Sequence, residues 1–441
     1  MKRLLLFLSV LLTANVSFSQ GNFQFDKKRS KTVIHFNLIN NLIIIPVELN
    51  GVRLNFLLDT GVEETILFSL EETKEIKFEN VEKVWLRGLG QQESIEGMKS
   101  SGNTLRFDDM YDSNHMLYIV LDQDFNFSSH IGIPVNGIIG YQFFRNNLIE
   151  INYDRKRITI FHDTEKALRK IKRKMKRLPI SIELRKPYIF ADVLQQSDNL
   201  NAKLLVDTGS GDAVWLFENL SDEILLPKKY FEDFLGRGFS GEIFGKRGRI
   251  KKFGIAGFTF EEPIVAFPDA VSVRHVNMVK DRLGSVGGEI LKRFVVVLDY
   301  PNKQMFFSKG EAFSEAFHYN MSGLEIEHGG LQWIKETVEL NTNMKGDEYD
   351  GNFEKRFSGF HYKFELKPVY KITSVRTDSP AAEAGLQKGD ALLAINGRLA
   401  YRYTLQQITD MMRSEPDREV VIEVERNGIR INASFRLRKM L

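Results

Sequence analysis

Leu57-Leu58-Asp59-Thr60-Gly61 and Leu205-Val206-Asp207-Thr208-Gly209 are one phrase written twice, an apolar strand running into Asp-Thr-Gly. After each copy comes a second apolar stretch, Ile66-Leu67-Phe68 and Val214-Trp215-Leu216-Phe217. Farther on lie Gly137-Ile138-Ile139-Gly140 and Gly284-Ser285-Val286-Gly287, 78 and 77 residues beyond their respective Asp. From the second glycine of each to Tyr153 and Tyr300 the offset is 13 both times. Each copy then closes on what reads as a β-hairpin: Leu148 to Tyr153 with Ile158 to Phe161, and Val295 to Tyr300 with Met305 to Phe307. Such self-similarity marks a duplicated folding unit. Residues ~30 to 162 and ~178 to 308 are therefore expected to be two β-rich lobes, with helical patterning confined to short stretches after the second glycines.

A carboxylate at the end of a buried strand is costly unless its charge is paired or used. Two of them, one per lobe, suggest the use. If the lobes pack about a pseudo-two-fold axis, Asp59 and Asp207 meet across it, and two carboxyls within a few ångström cannot both ionise. One proton is then shared. A water between them can be activated by one Asp as base while the other, protonated, polarises a carbonyl. Thr60 and Thr208 supply hydroxyls to lock the turns together, and Gly61 and Gly209 let the backbone turn tightly enough to aim both carboxyls inward. A lone Asp-Thr-Gly suits any polar turn; the matched downstream spacing is what separates this pair from that reading.

These two turns, each with an apolar-apolar-Gly partner about 80 residues later, resemble the retropepsin-like aspartyl proteases, in the form of a fused single-chain version of their homodimer. The resemblance covers both lobes. It implies a mainly β fold of two acid-protease lobes forming a pseudo-dimer, catalytic Asp59 and Asp207, and glycine-rich flaps over the cleft. Flap candidates are Gly238, Phe239 and Gly241 in the stretch 236–245, and Gly88 and Gly90 in the first lobe. The sequence departs from the family pattern in having Val62 after the first Asp-Thr-Gly and Ser285 in the second apolar-Gly segment.

Residues 315 to 441 differ in style. Ser379-Pro380-Ala381-Ala382-Glu383-Ala384-Gly385-Leu386, then Gly389-Asp390, then Ile395-Asn396-Gly397 resembles a bacterial-type PDZ domain, which implies an α+β module that takes an extended peptide as an added strand and holds its C-terminal carboxylate on a glycine turn. Ser322-Gly323-Leu324 is the preferred carboxylate loop and Phe357-Ser358-Gly359-Phe360 the alternative. Thr404 opens a helix with Gln407 completing a capping box. On that helix Leu405 and Ile408 are either groove-wall residues or ordinary core. Residues ~335 to 365 are polar and read as an irregular insertion. Between the lobes, residues 163–177 carry eight Lys or Arg, expected as a solvated linker, with association to an anionic surface as the other reading.

The chain has 441 residues, a length for about three domains. Its 61 Lys and Arg against 58 Asp and Glu leave a net charge of +3, which gives no general basic field for nucleic acid. With no Cys, disulfides, thiolate zinc sites and thiol nucleophiles are excluded. No His-Glu-x-x-His or Gly-x-Ser-x-Gly string occurs, so zinc and serine mechanisms lack a motif, and neither metal nor cofactor is expected. Met1-Lys2-Arg3, the apolar run Leu4 to Leu12 and Ser17-Phe18-Ser19 have the layout of a secretory signal cleaved after Ser19, about half the length of a spanning helix. The reading is an exported, periplasmic or secreted aspartic-type endopeptidase with a peptide-recruiting or regulatory PDZ domain. Its partners are expected to be protein substrates and peptide C-termini. The rival is a catalytically inactive peptide-binding scaffold on the same lobes.

Overall fold

The computed structural model describes residues 22–26, 29–68, 75–86, 95–120, 127–162, 164–196, 199–238, 241–274, 278–343 and 356–441. In the first half the chain runs through β1 (Leu42–Leu49), β2 (Val52–Leu58), β3 (Thr65–Leu67), β4 (Glu82–Leu86), β5 (Ile95–Phe107), β6 (Met110–Val120), α1 (Phe127–Ile131) and β7 (Gly137–Ile139). One sheet holds these strands in the order β6-β3-β7-β2-β1-β5-β4. On β2, Leu54, Phe56 and Leu58 point into the main core, while Leu57 joins Leu42, Ile44 and Ile138 on the opposite face. A strand buried on both faces carries the chain straight to Asp59.

The next elements are β8 (Leu148–Asn152), β9 (Arg157–Phe161) and α2 (Thr164–Lys174). The second half repeats the pattern with β10 (Asn199–Val206), β11 (Val214–Leu216), β12 (Tyr230–Gly238), β13 (Gly241–Arg249), β14 (Arg282–Val286), β15 (Phe294–Asp299) and β16 (Gln304–Lys309). The registers match. Strand β7 lies parallel to β2, with Ile139 opposite Leu58, and β14 lies parallel to β10, with Val286 opposite Val206. Both also pair antiparallel with the short strand after the Asp-Thr-Gly turn, β3 or β11.

The paired glycines follow from packing. A Cβ on Gly137 would sit 1.6 Å from the Phe56 ring, and one on Gly284 1.9 Å from the Trp215 carbonyl oxygen. At Gly140 and Gly287 it would meet the Val62 and Asp212 carbonyls at 2.0 and 2.4 Å. Real Cβ atoms do not approach that closely, so Gly137 and Gly284 let neighbouring strands close up, and Gly140 and Gly287 bring one backbone against the residues just after each Asp-Thr-Gly.

The closing hairpins of the two halves fuse into a six-stranded sheet, Lys176–Pro179, β16, β15, β8, β9 and Lys31–His35, in which β8 pairs antiparallel with β15. Packed on it is α2. The basic stretch expected as a solvated linker is thus an amphipathic helix. Ala167 and Ile171, one turn apart, are buried against Leu148, Val297 and Phe306, while its cations face water.

The C-terminal sheet runs β17 (Leu324–Asn343), β18 (Arg356–Val375), β19 (Ala391–Ile395), β20 (Glu419–Arg426) and β21 (Ile429–Arg436), and α3 (Leu405–Met412) precedes β20. Thr404 caps α3 with the expected capping box. Of the residues 335–365, read as irregular, 335–343 and 356–365 instead continue β17 and β18, which pair from Leu331 with Pro368 out to Asn343 with Arg356; 344–355 lie outside the described residues. On this ribbon Leu331, Trp333, Phe364 and Leu366 are exposed. The two strands satisfy each other's backbone through this ladder.

Candidate active site

The turns after β2 and β10 meet. The Thr60 amide donates to the Thr208 hydroxyl at 3.0 Å, and the Thr208 amide donates to the Thr60 hydroxyl at 3.0 Å. Each hydroxyl reaches on across the junction: Thr60 donates to the Val206 carbonyl at 2.6 Å and Thr208 to the Leu58 carbonyl at 2.8 Å. Both threonines are buried, so these bonds are shielded from competition by water. Each turn is held by the other half of the chain, at sequence separations of 146 to 150.

The lock sets the carboxyls. Asp59 Oδ1 accepts from the Gly61 amide at 2.7 Å and Asp207 Oδ1 from the Gly209 amide at 3.1 Å. The carboxyls also cross. A Cβ on Gly209 would lie 2.2 Å from Asp59 Cγ, and one on Gly61 would lie 3.1 Å from Asp207 Oδ1. Asp59 is 8% exposed and shares a hydrogen bond with Asp207, which keeps some access to solvent. Burial raises the Asp59 pKa, and the facing Asp207 charge adds to it, against the opposing pull of the Gly61 amide and Lys186. Burial raises Asp207 as well, but Arg282 and the Gly209 amide favour its anion. Arg282 is itself buried, donating Nε–H to the Gly284 carbonyl and lying over the Phe217 ring. The pair therefore keeps one proton between the two carboxyls.

Of the flap candidates, Gly238 and Gly241 face each other at the end of the β12–β13 hairpin. Phe239, Gly88 and Gly90 lie outside the described residues, as does the N-terminal segment 1–19.

In the C-terminal domain the Gly323 turn is engaged by its own neighbours, and the alternative turn at Gly359 is corrected. The amides of Ser322 and Gly323 both donate to Asn320 Oδ1 at 3.1 Å, and the Leu324 amide donates to Ser322 Oγ at 3.1 Å. A carboxylate would find no free amide on this turn, because the Asn320 side chain already mimics one. Gly359 is not in a turn; it pairs with Leu340 inside the β17–β18 ladder. Leu405 and Ile408 are both buried, and Leu405 packs against Gly132 of the first half.

Sequence reading missed a charge chain that joins the second half to the C-terminal domain. Asp212, five residues past Asp207, accepts from Arg247 at 2.7 Å; Arg247 also donates to Asp233 at 2.6 Å, and Asp233 pairs with Arg376 at 3.3 Å. Arg376 lies over the Phe231 ring and donates to the Asn320 carbonyl. Also unforeseen is a Thr65–His115–Asp112 relay, at 2.7 and 2.9 Å. All three residues are at most 2% exposed, so no substrate reaches them; the relay pins β3 to β6. Among the described residues no group of His, Asp and Glu could hold a metal ion, and no helix is long and apolar enough to cross a membrane.

A model of the aspartyl protease family matches residues 45–143, and a model of the PDZ domain matches residues 371–426. Among solved structures, the chain is similar to the aspartic proteinase from Irpex lacteus, with 13% identity, a TM-score of 0.44, and coverage of 65% of this chain and 99% of that one. A search of the curated proteins returns no match. The chain thus contains, over residues 45–143, an aspartic-protease-like region. A separate PDZ domain follows it.

Proposed function

We propose that this protein is an exported aspartic-type endopeptidase whose two Asp-Thr-Gly halves form a fused, retropepsin-like pseudo-dimer, with Asp59 and Asp207 as its catalytic pair. The single observation that carries the reading is the reciprocal Thr60–Thr208 lock, which holds two buried carboxyls against each other. A structural role for either Asp would be met by one partner cation, whereas each here faces the other acid.

In the proposed reaction a water lies between the carboxyls. Ionised Asp207 takes its proton as the oxygen adds to the peptide carbonyl carbon, and protonated Asp59 gives its proton to the carbonyl oxygen. The resulting gem-diol returns one hydroxyl proton to Asp59. Asp207 passes its proton to the amide nitrogen as the C–N bond breaks, leaving a carboxylic acid and an amine, and the pair again holds one proton. The hairpin β12–β13 would close over the substrate.

The test is incubation of the purified mature chain with an unfolded protein from pH 3 to 8, with and without a statine-type transition-state peptidomimetic. Cleavage that the statine blocks supports the reading. Cleavage blocked only by chelators or serine reagents would refute it.

A further inference from the structure

We infer that the groove between β17 and α3 of the PDZ domain is an intramolecular docking site, and that its occupant is the chain's own segment Ser129 to Gly132 at the end of α1. The inference rests on the PDZ assignment; only its consequence for cleavage rests on the proposed Asp59–Asp207 pair.

Three sets of contacts carry it. On the β17 wall, Glu327 accepts from Ser129 Oγ at 3.4 Å and pairs with His130 Nδ1 at 3.1 Å. On the α3 wall, Leu405 meets Gly132, where a Cβ would come 2.7 Å from the Leu405 Cβ, and Gly132 has φ +80°. At the N-terminal end of α3, Gln406 Oε1 accepts from the Asn40 amide at 2.7 Å, which adds the turn before β1 to the same contact. The segment touches both walls between which a PDZ domain takes its ligand. The turn that would hold a free carboxylate already has its amides bonded to Asn320 and Ser322, so the site is built for an internal stretch of chain.

The docked segment is also joined to the catalytic half. Ile131 packs with Leu57 and Ile138, on the two strands that lead into and support the Asp59 turn. The His130 ring stacks on Phe234 of β12, at 6.4 Å between centroids. Groove, first half and β12 hairpin thus share one short segment. An intramolecular ligand acts at an effective concentration on the order of millimolar. A peptide entering the groove must therefore displace α1 and loosen β12 as it does so.

The experiment uses the full chain and a fluorescein-labelled synthetic peptide with the sequence of residues 127–135. Hydrogen exchange of α1 and binding of the peptide are measured for the wild type, for Ser129→Ala with His130→Ala, which leave both groove walls intact for the added peptide, and for Gly132→Val. The polar double variant removes wall contacts without touching the core; Gly132→Val drives a side chain into Leu405. Exchange in α1 at least tenfold faster, with at least tenfold tighter peptide binding than the wild type, is the expected result for both. Unchanged exchange in the double variant, or equal peptide binding by wild type and double variant, overturns the docking whether or not Gly132→Val folds. Cleavage assayed in parallel separates the two claims. A chain that cleaves while α1 stays protected in the double variant refutes the docking alone. A chain whose α1 loosens but which never cleaves refutes the protease reading and supports the docking.

Discussion

Thr208→Val tests the lock that aims the two carboxyls. Valine keeps the shape of the side chain and removes the hydroxyl, which accepts from the Thr60 amide and donates to the Leu58 carbonyl. Both backbone groups lie in buried residues, so each is left without a partner and without water. An orphaned buried group costs about 1–3 kcal/mol, which gives about 2–6 kcal/mol for the pair. Thr208→Ser keeps the hydroxyl and loses one buried methyl, at about 1 kcal/mol. Urea unfolding followed by tryptophan fluorescence reads the difference, since Trp215 is buried in the sheet that carries Asp207. Valine should therefore lie well below serine in midpoint. Equal midpoints for the two variants would show that the hydroxyl carries no bond worth measuring and would refute the reasoning.

Gly209→Ala places a methyl 2.2 Å from Asp59 Cγ, so it should separate the carboxyls and lower the urea midpoint by an amount equivalent to about 1–3 kcal/mol, while Gly51→Ala, with open space around it, is limited to the strain of its own positive φ. Burial raises both aspartates, so between the unfolded pKa of about 3.9 and the raised folded value the folded chain holds a proton that the unfolded chain has lost. Stability from this source is complete at low pH and is lost as pH rises through the folded value; the midpoint should therefore fall from pH 5 to 8, and fall less in Asp59→Asn with Asp207→Asn. Glu325, pushed up from 4.5 to about 7 by burial and then by Asp233, obeys the same sign, so Glu325→Gln should flatten the midpoint across pH 5 to 7 and raise it at pH 8.

What the sequence made legible was whatever local chemistry and repetition encode. The two Asp-Thr-Gly strands and their glycine partners could be read because each glycine answers to a contact repeated in both halves. Asn396-Gly397, with φ of 50° and 76°, and the Thr404–Gln407 capping box were legible because turns and caps are decided by a few adjacent residues. The rest depended on partners far away in the chain. Asn320 occupies the Gly323 turn through a side-chain carbonyl, and nothing in its neighbours distinguishes that from a solvent-facing amide. The helix α2 was hidden because only Ala167 and Ile171 show its buried face among so many cations. Arg376, Asp233, Arg247 and Asp212 come from four separate segments, so their chain of ion pairs has no sequence signature.

The central claim is that Asp59 and Asp207 act as one unit, and the direct measurement is kcat/KM on a statine-sensitive peptide for the wild type, Asp59→Asn, Asp207→Asn and the double variant, with folding checked by urea midpoint. One shared proton and one water need both carboxyls, so each single variant should lose activity by at least a thousandfold, and the double variant should be no worse than either. Either single variant retaining more than a tenth of the wild-type value while folded would contradict the account.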